Sequence, residues 1–131
     1  MHTPTPHKGL RHVALYSSNL EACKNFYVDL LGMKIVWQPD PDNIYLSSGS
    51  DNFALHRAPA DYIEPTHQRL DHIGFFLQHR EDVDTWHEYL KTNGVSIKAA
   101  PKDHRDNTRS FYCQDPDGNT VQMIYIPPDS N

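Results

Sequence analysis

Two histidines lie inside stretches that otherwise read as buried strands, His12 in LRHVAL at 10–15 and His72 in LDHIGF at 70–75. A neutral imidazole offers one ring lone pair, which makes histidine a common ligand for divalent metals as well as a proton carrier. One strand histidine alone is ordinarily a satisfied core or edge residue. Two at equivalent places in a repeated unit carry more meaning, because packing about a pseudo-twofold axis brings equivalent residues together at that axis. Two imidazoles meeting there form the core of a site for a divalent metal ion, with Zn, Ni, Mn, Fe and Co all compatible. Ala14 and Gly74, two residues further along each stretch, are small and leave room beside the histidines.

A third candidate is Gln122 in NTVQMIYI at 119–126, where strand alternation puts it on the same face as Thr120, Ile124 and Ile126. A polar group on such a face costs a few kcal/mol unless it finds a partner. A metal ion or the polar group of a bound molecule would supply one. Laying FAL at 53–55 on VQM at 121–123 makes Ala54 the equivalent of Gln122, and an alanine ligates nothing. His56 shares the face of Ala54 one strand step on, within reach of the same cavity. The position equally suits a rim histidine beside Arg57. The remaining histidines, His2, His7, His67, His79, His87 and His104, fall on termini, loops or helix faces and read as solvated, with His87 half-buried.

The elements that hold these residues repeat. LRHVALYS alternates with the period of a strand, and Ser17, Ser18 and Asn19 offer helix-cap chemistry before LEACKNFYVDLLG. In that segment Leu20, Phe26, Leu30 and Leu31 make a helical stripe, with Gly32 as the stop. MKIVWQ, IYLSS and NFALHR follow as strands, with the loop PDPDN after the first of them. The second half runs LDHIGFFL (strand), REDVDTWHEYLKTNG (helix), VSIKAA (strand), PKDHRDNT (loop), then SFYCQ and NTVQMIYI as a hairpin closed by DPDG. The order is β, α, β, β, β both times, with a period of about 60 residues, which favours a pseudo-symmetric pair of sheets over a solenoid. The expected fold is α+β, a single domain over 1–131 made of two tandem βαβββ modules, 8–58 and 68–127, whose mixed sheets curve around a cleft.

Composition removes other classes. The formal charge of −5, with twelve scattered lysines and arginines, argues against a nucleic-acid partner. No window approaches the apolar length of a membrane span or a signal peptide, so the reading is a soluble, cytoplasmic protein. Cys23 and Cys113 form no CxxC pair and read as reduced thiols. The tail PPDSN reads as a frayed end.

The doubled pattern, carried by LRHVALYSSNLEACKNFYVDLLGMKI, LDHIGFFL and above all FYCQDPDGNTVQMIY, resembles the vicinal oxygen chelate superfamily over about Leu10 to Ile126. That superfamily includes glyoxalase I, fosfomycin-resistance thiol transferases, methylmalonyl-CoA epimerase, extradiol dioxygenases and bleomycin-resistance proteins. The resemblance implies metal ligands on the first and last strands of each module, which here are His12, Ala54, His72 and Gln122. Ala54 stands where glyoxalase I has a ligating glutamate, and the dioxygenases and fosfomycin enzymes use only the other three positions. Gln122 stands where the metal-dependent members have a glutamate that also takes a proton in glyoxalase-type chemistry. An amide can ligate but cannot act as a base, and His56 is the stand-in. The resemblance thus implies a metal-dependent enzyme of lactoylglutathione lyase-like, isomerase or dioxygenase type acting on a small molecule with vicinal oxygens. Tyr45, Tyr112, Arg57, Arg105 and Arg109 are candidates for orienting that molecule. The alternative is a metal-free binding protein of the bleomycin-resistance type, with Phe53, Phe76, Trp37 and Tyr16 lining the cleft. Either way the resemblance implies a homodimer.

Overall fold

The computed structural model describes residues 3–128, so His2 and the end of the PPDSN tail lie outside the described residues. Two compact units divide the chain, Met1–Tyr62 and Ile63–Asn131. The first unit holds β1 (His12–Ser17), α1 (Leu20–Asn25), a π-helical turn (Phe26–Leu30), β2 (Lys34–Asp40), β3 (Asn43–Ser47) and β4 (Asn52–Arg57). The second holds β5 (Ile73–Phe76), α2 (Asp82–Thr92), β6 (Ile97–Asp103), β7 (Arg109–Gln114) and β8 (Thr120–Tyr125). Each unit is a βαβββ module whose four-stranded mixed sheet runs first, fourth, third, second in chain order. First and last strands pair in parallel, and the other pairings are antiparallel. The expected α+β class with two repeated modules is the observed one.

Alternation along the strands separates two faces. On one, Phe53, Leu55, Ile44 and Leu46 are buried in the first module and Val121, Met123, Phe111 and Cys113 in the second. The helices cover this face: the rings of Tyr27 and Phe53 lie 4.6 Å apart, and those of His87 and Phe111 5.3 Å apart. Phe53 is therefore a core residue under α1, not the cleft residue suggested by sequence, because it points to the face opposite Ala54. His87 is half-buried, as expected.

Several bounds differ from the sequence reading. The first helix does not stay α-helical: Leu31 N–H donates to Phe26 O at 3.0 Å, five residues back. The wider turn buries both Phe26 and Tyr27 behind Leu20 and Cys23, leaving Leu30 and Leu31 only half-buried. No side-chain cap bond forms at Asn19, while Ser17 Oγ accepts the Asn19 N–H at 3.2 Å. Gly32 and Gly94 both close their helices in the left-handed conformation, with φ 81 and 80. β2 runs on to Asp40, shrinking the expected PDPDN loop to a two-residue turn; Asp40 Oδ1 accepts the Asp42 N–H at 2.8 Å, an Asx turn. β5 is shorter than LDHIGFFL, and β6 extends into PKD.

Both cysteines are free and buried. Burial, with the charge of Asp115 added, pushes the Cys113 thiol up to about 12, so it stays protonated and is no nucleophile. Among the described residues, no helix is long and apolar enough to cross a membrane.

Two arginines offered by the sequence as substrate contacts are committed to the fold. Arg57 Nε lies 2.6 Å from Asp42 Oδ1. Arg109 donates to both Asp84 oxygens, at 2.9 and 3.1 Å, and to Asp103 Oδ1 at 3.1 Å, tying α2, β6 and β7 together. The guanidinium hydrogen bonds hold the Asp84 carboxyl below its ordinary value, with burial opposing. A folded-state value below the unfolded one contributes stability that is present above the unfolded value and lost as the pH falls through the folded one. Arg109→Met is therefore expected to lower the urea midpoint near neutral pH, with the gap to wild type closing between about pH 5 and about pH 2. A pH-independent gap would contradict this.

Candidate functional site

Strand register puts the chemistry of each module on the face opposite its helix. One row across the first sheet reads Ala14, Ala54, Tyr45, and the same row in the second reads Gly74, Gln122, Tyr112. Ala54 and Gln122 occupy equivalent places because first and last strands pair in parallel in both sheets.

His12 opens β1, and its Nδ1 lies 2.7 Å from Asn52 Oδ1 and 3.1 Å from Asn52 O. His72 immediately precedes β5, with Nδ1 2.7 Å from Asp71 Oδ2 and its ring edge-on to Tyr112 at 5.4 Å. Backbone carbonyl and carboxylate oxygens only accept, so in the neutral ring each Nδ1 carries the proton and each Nε2 the lone pair. Metal-binding imidazoles are prepared in this way, with an oxygen behind one nitrogen and the other left to ligate.

Gln122 is 8% exposed, and the partner its burial requires comes from its own sheet. Its Nε2 donates to Ser110 Oγ and to Tyr112 Oη, both at 3.0 Å. Oε1 receives no hydrogen bond from the described residues and lies over Gly74, where an added Cβ would come 3.6 Å from it. His104 Nε2 lies 2.7 Å from Ser110 Oγ. Since that oxygen already accepts from Gln122, its proton is free to go to His104. The expectation that His104 is solvated is corrected: it is half-buried and braces the serine that orients Gln122.

In the first module, His56 Nδ1 lies 2.6 Å from Asn43 Oδ1. Its ring is edge-on to Tyr45 at 5.8 Å, and Tyr45 stacks on Trp37 at 5.0 Å.

A cavity of about 610 Å³ opens on the second module, lined in part by Gln122, Tyr112, Ile124, His104, Lys102 and Arg105. Its two carboxylates are occupied, Asp103 by Arg80 and Arg109 and Asp106 by Thr108. The cavity lies within the size range of small-molecule sites. Of the three arginines read from sequence as orienting residues, Arg105 is the one on this wall.

Among the described residues, no group of three or more His, Cys, Asp or Glu side chains is placed to hold a metal ion. The candidate donors are instead two imidazoles and an amide oxygen. Each is chemically a donor for a borderline divalent ion, since a neutral imidazole keeps a lone pair on Nε2 and Gln122 Oε1 is the end of the amide its hydroxyl partners leave available; His12 belongs to the first unit, His72 and Gln122 to the second. The structure joins His72 to Gln122 through Tyr112, and sets His56 one row from Ala54. Asn52, Asn43, Asp71 and Ser110 carry no signal of their own in the sequence, because their roles arise from cross-strand pairing and from an adjacent residue's rotamer.

The model of the Glyoxalase/Bleomycin resistance protein/Dioxygenase superfamily matches residues 9–123, and the chain belongs to that superfamily. Among curated relatives it is similar to a Metallothiol transferase FosB of Staphylococcus haemolyticus, 28% identical over 88% of this chain and 82% of that protein. It is also similar to a Manganese-dependent 2,3-dihydroxybiphenyl 1,2-dioxygenase of Geobacillus genomosp. 3, 27% identical over 87% of this chain, which spans only 35% of that enzyme's length. Among solved structures, a lactoylglutathione lyase from Agrobacterium tumefaciens matches with a TM-score of 0.74 and 23% identity, over 92% of this chain and 96% of that one, a likeness of fold.

Proposed function

We propose that this protein is a divalent-metal-dependent enzyme of lyase, isomerase or dioxygenase type, acting on a small molecule with two adjacent oxygens, with His12, His72 and Gln122 holding the ion. The observation that carries this reading is the hydrogen bonding of the two imidazoles, each with Nδ1 on an oxygen and Nε2 left as a lone pair. The names of two relatives, a metallothiol transferase and a manganese-dependent dioxygenase, support it. Zn, Ni, Mn, Fe and Co all suit two nitrogens and an oxygen. A divalent ion held there supplies Lewis acidity toward adjacent substrate oxygens. His12 and His72 bind, Gln122 ligates without taking protons, and Tyr112 and Arg105 orient the substrate. Proton transfer falls to His56.

A second reading, a metal-free binding protein of the bleomycin-resistance type, draws on exposed Tyr16, Trp37 and Phe76. Metal analysis separates the two. Protein prepared without a His-tag or nickel column is expected to carry a near-stoichiometric divalent ion, lost in His12→Ala and His72→Ala. An ion-free protein whose melting temperature ignores a chelator would favour the binding protein.

Gln122→Glu tests the amide. The hydroxyls of Ser110 and Tyr112 can turn to donate to a carboxylate, and the added charge is expected to tighten ion binding by at least ~10-fold in calorimetric titration of chelator-stripped protein. The same variant should speed turnover of the methylglyoxal–glutathione hemithioacetal, which the wild type turns over slowly for want of a carboxylate at 122. Unchanged affinity would remove Gln122 from the ligand set.

We also place the protein in the cytoplasm as a homodimer. The free buried cysteines support the first, and exposed Ile35, Val36 and Trp37 on β2, at the end of its sheet, support the second. If each site draws on two copies, mixing His12→Ala and His72→Ala chains restores about a quarter of wild-type ion binding, since half of the dimers are mixed and each has one intact site. Restoration of none assigns the site to one chain, and a monomer in sedimentation at micromolar concentration contradicts the dimer.

A further inference from the structure

One row beyond Ala54, the first sheet carries Tyr16, His56, Asn43 and Asp40, one residue from each strand, paired in register. Three of them are hydrogen-bonded in series. Asn43 Nδ2 donates to both Asp40 carboxylate oxygens, at 2.9 and 3.1 Å, and Asn43 Oδ1 lies 2.6 Å from His56 Nδ1. The polarity of this series follows from one fact, that a carboxylate only accepts. Asp40 therefore fixes the NH2 end of the Asn43 amide on itself and turns the carbonyl end to the imidazole. Facing a carbonyl oxygen, Nδ1 is the protonated nitrogen of the neutral His56 ring, and Nε2 is left with the lone pair. The amide of Asn43 is the main cause holding the Asp40 carboxyl below its ordinary value, which keeps it charged as the anchor. The corresponding row of the second sheet is Phe76, Ile124, Ser110 and Lys102, so the repeat does not impose the series.

The geometry points to Asp40 and Asn43 as positioning residues that hold His56 with its Nε2 lone pair available as the proton acceptor. This rests on the enzyme reading above. In the step, a substrate C–H bond beside a carbonyl breaks, the electron pair stays on the substrate as an enolate, and the proton joins Nε2. His56 then returns that proton to the neighbouring carbon, so nothing else is consumed. Asp40 keeps its charge throughout, and Asn43 Oδ1 stabilises the imidazolium.

Long-range proton–nitrogen NMR of the nitrogen-15-labelled full chain, with the imidazoles neutral, reads the tautomer directly. His56 is expected to be protonated at Nδ1 in the wild type and in Asn43→Asp, where a carboxylate oxygen still accepts, and to lose that preference in Asn43→Leu. A wild-type His56 protonated at Nε2, or an Asn43→Leu chain with the wild-type tautomer, overturns the positioning role. With the hemithioacetal as substrate, Asn43→Leu is expected to lower kcat by at least ~10-fold at unchanged KM, with recovery in Asn43→Asp. An unchanged kcat, or no turnover by the wild type, overturns the proton-transfer role. Failure of the metal reading shows elsewhere, in the ion content of His12→Ala and His72→Ala, which the tautomer measurement does not depend on.

Discussion

Parallel pairing of the first strand with the last is the constraint on which each module depends. It returns β4 to β1 and β8 to β5, so residues 40 or 48 positions apart become neighbours in a row. Asn52 reaches His12 by this route, and Gly74 faces Gln122. The antiparallel partner then extends each row, bringing Tyr112 and Ser110 to the amide and Asn43 to His56. The helix is what keeps the two faces distinct. By burying Phe53 or Phe111 against Tyr27 or His87, it assigns the apolar alternation to one side and leaves the polar residues to the other.

The repeat and the strand-face alternation were legible because they depend on local residue types. LRHVAL and LDHIGF share a period, and Ala54 and Gln122 could be aligned through their apolar neighbours. Bounds set by side-chain hydrogen bonds were less legible. The PDPDN stretch looks like a loop until Asp40 accepts the Asp42 amide and closes a two-residue turn. The π-helical turn is equally hidden, since FYVDL fits an α-helix by propensity and only the burial of both Phe26 and Tyr27 selects the wider turn. His104 was misread for a similar reason. It follows a strand into a turn, where histidines are usually solvated, and its partner Ser110 is found only across the β6–β7 hairpin.

A shared logic runs through the polar residues of both modules. Imidazoles and amides each have one donating and one accepting end, and rotation of a single bond exchanges them. In each case a group that can only accept removes the ambiguity: Asn52 O behind His12, Asp71 behind His72, Asp40 behind Asn43. Gln122 is fixed differently, by two hydroxyls that can each donate or accept. Its orientation is set only as far as Ser110 gives its proton to His104, so it is the least firmly fixed of the candidate donors.

That difference explains why a glutamine is tolerable at 122, and on the proposed reading it leaves the proton chemistry to another residue. Hydroxyl partners suit an amide and a carboxylate alike, so the site around residue 122 is not rebuilt for glutamine and would accept a glutamate with its hydroxyls turned. What the amide removes is basicity and one negative charge, not shape. The first sheet holds a charged Asp40 that acts through Asn43 on the His56 imidazole, in the module whose residue equivalent to Gln122 is Ala54. On the proposed reading the second module keeps an oxygen donor at Gln122, and the first carries His56 one row from the alanine at the equivalent position.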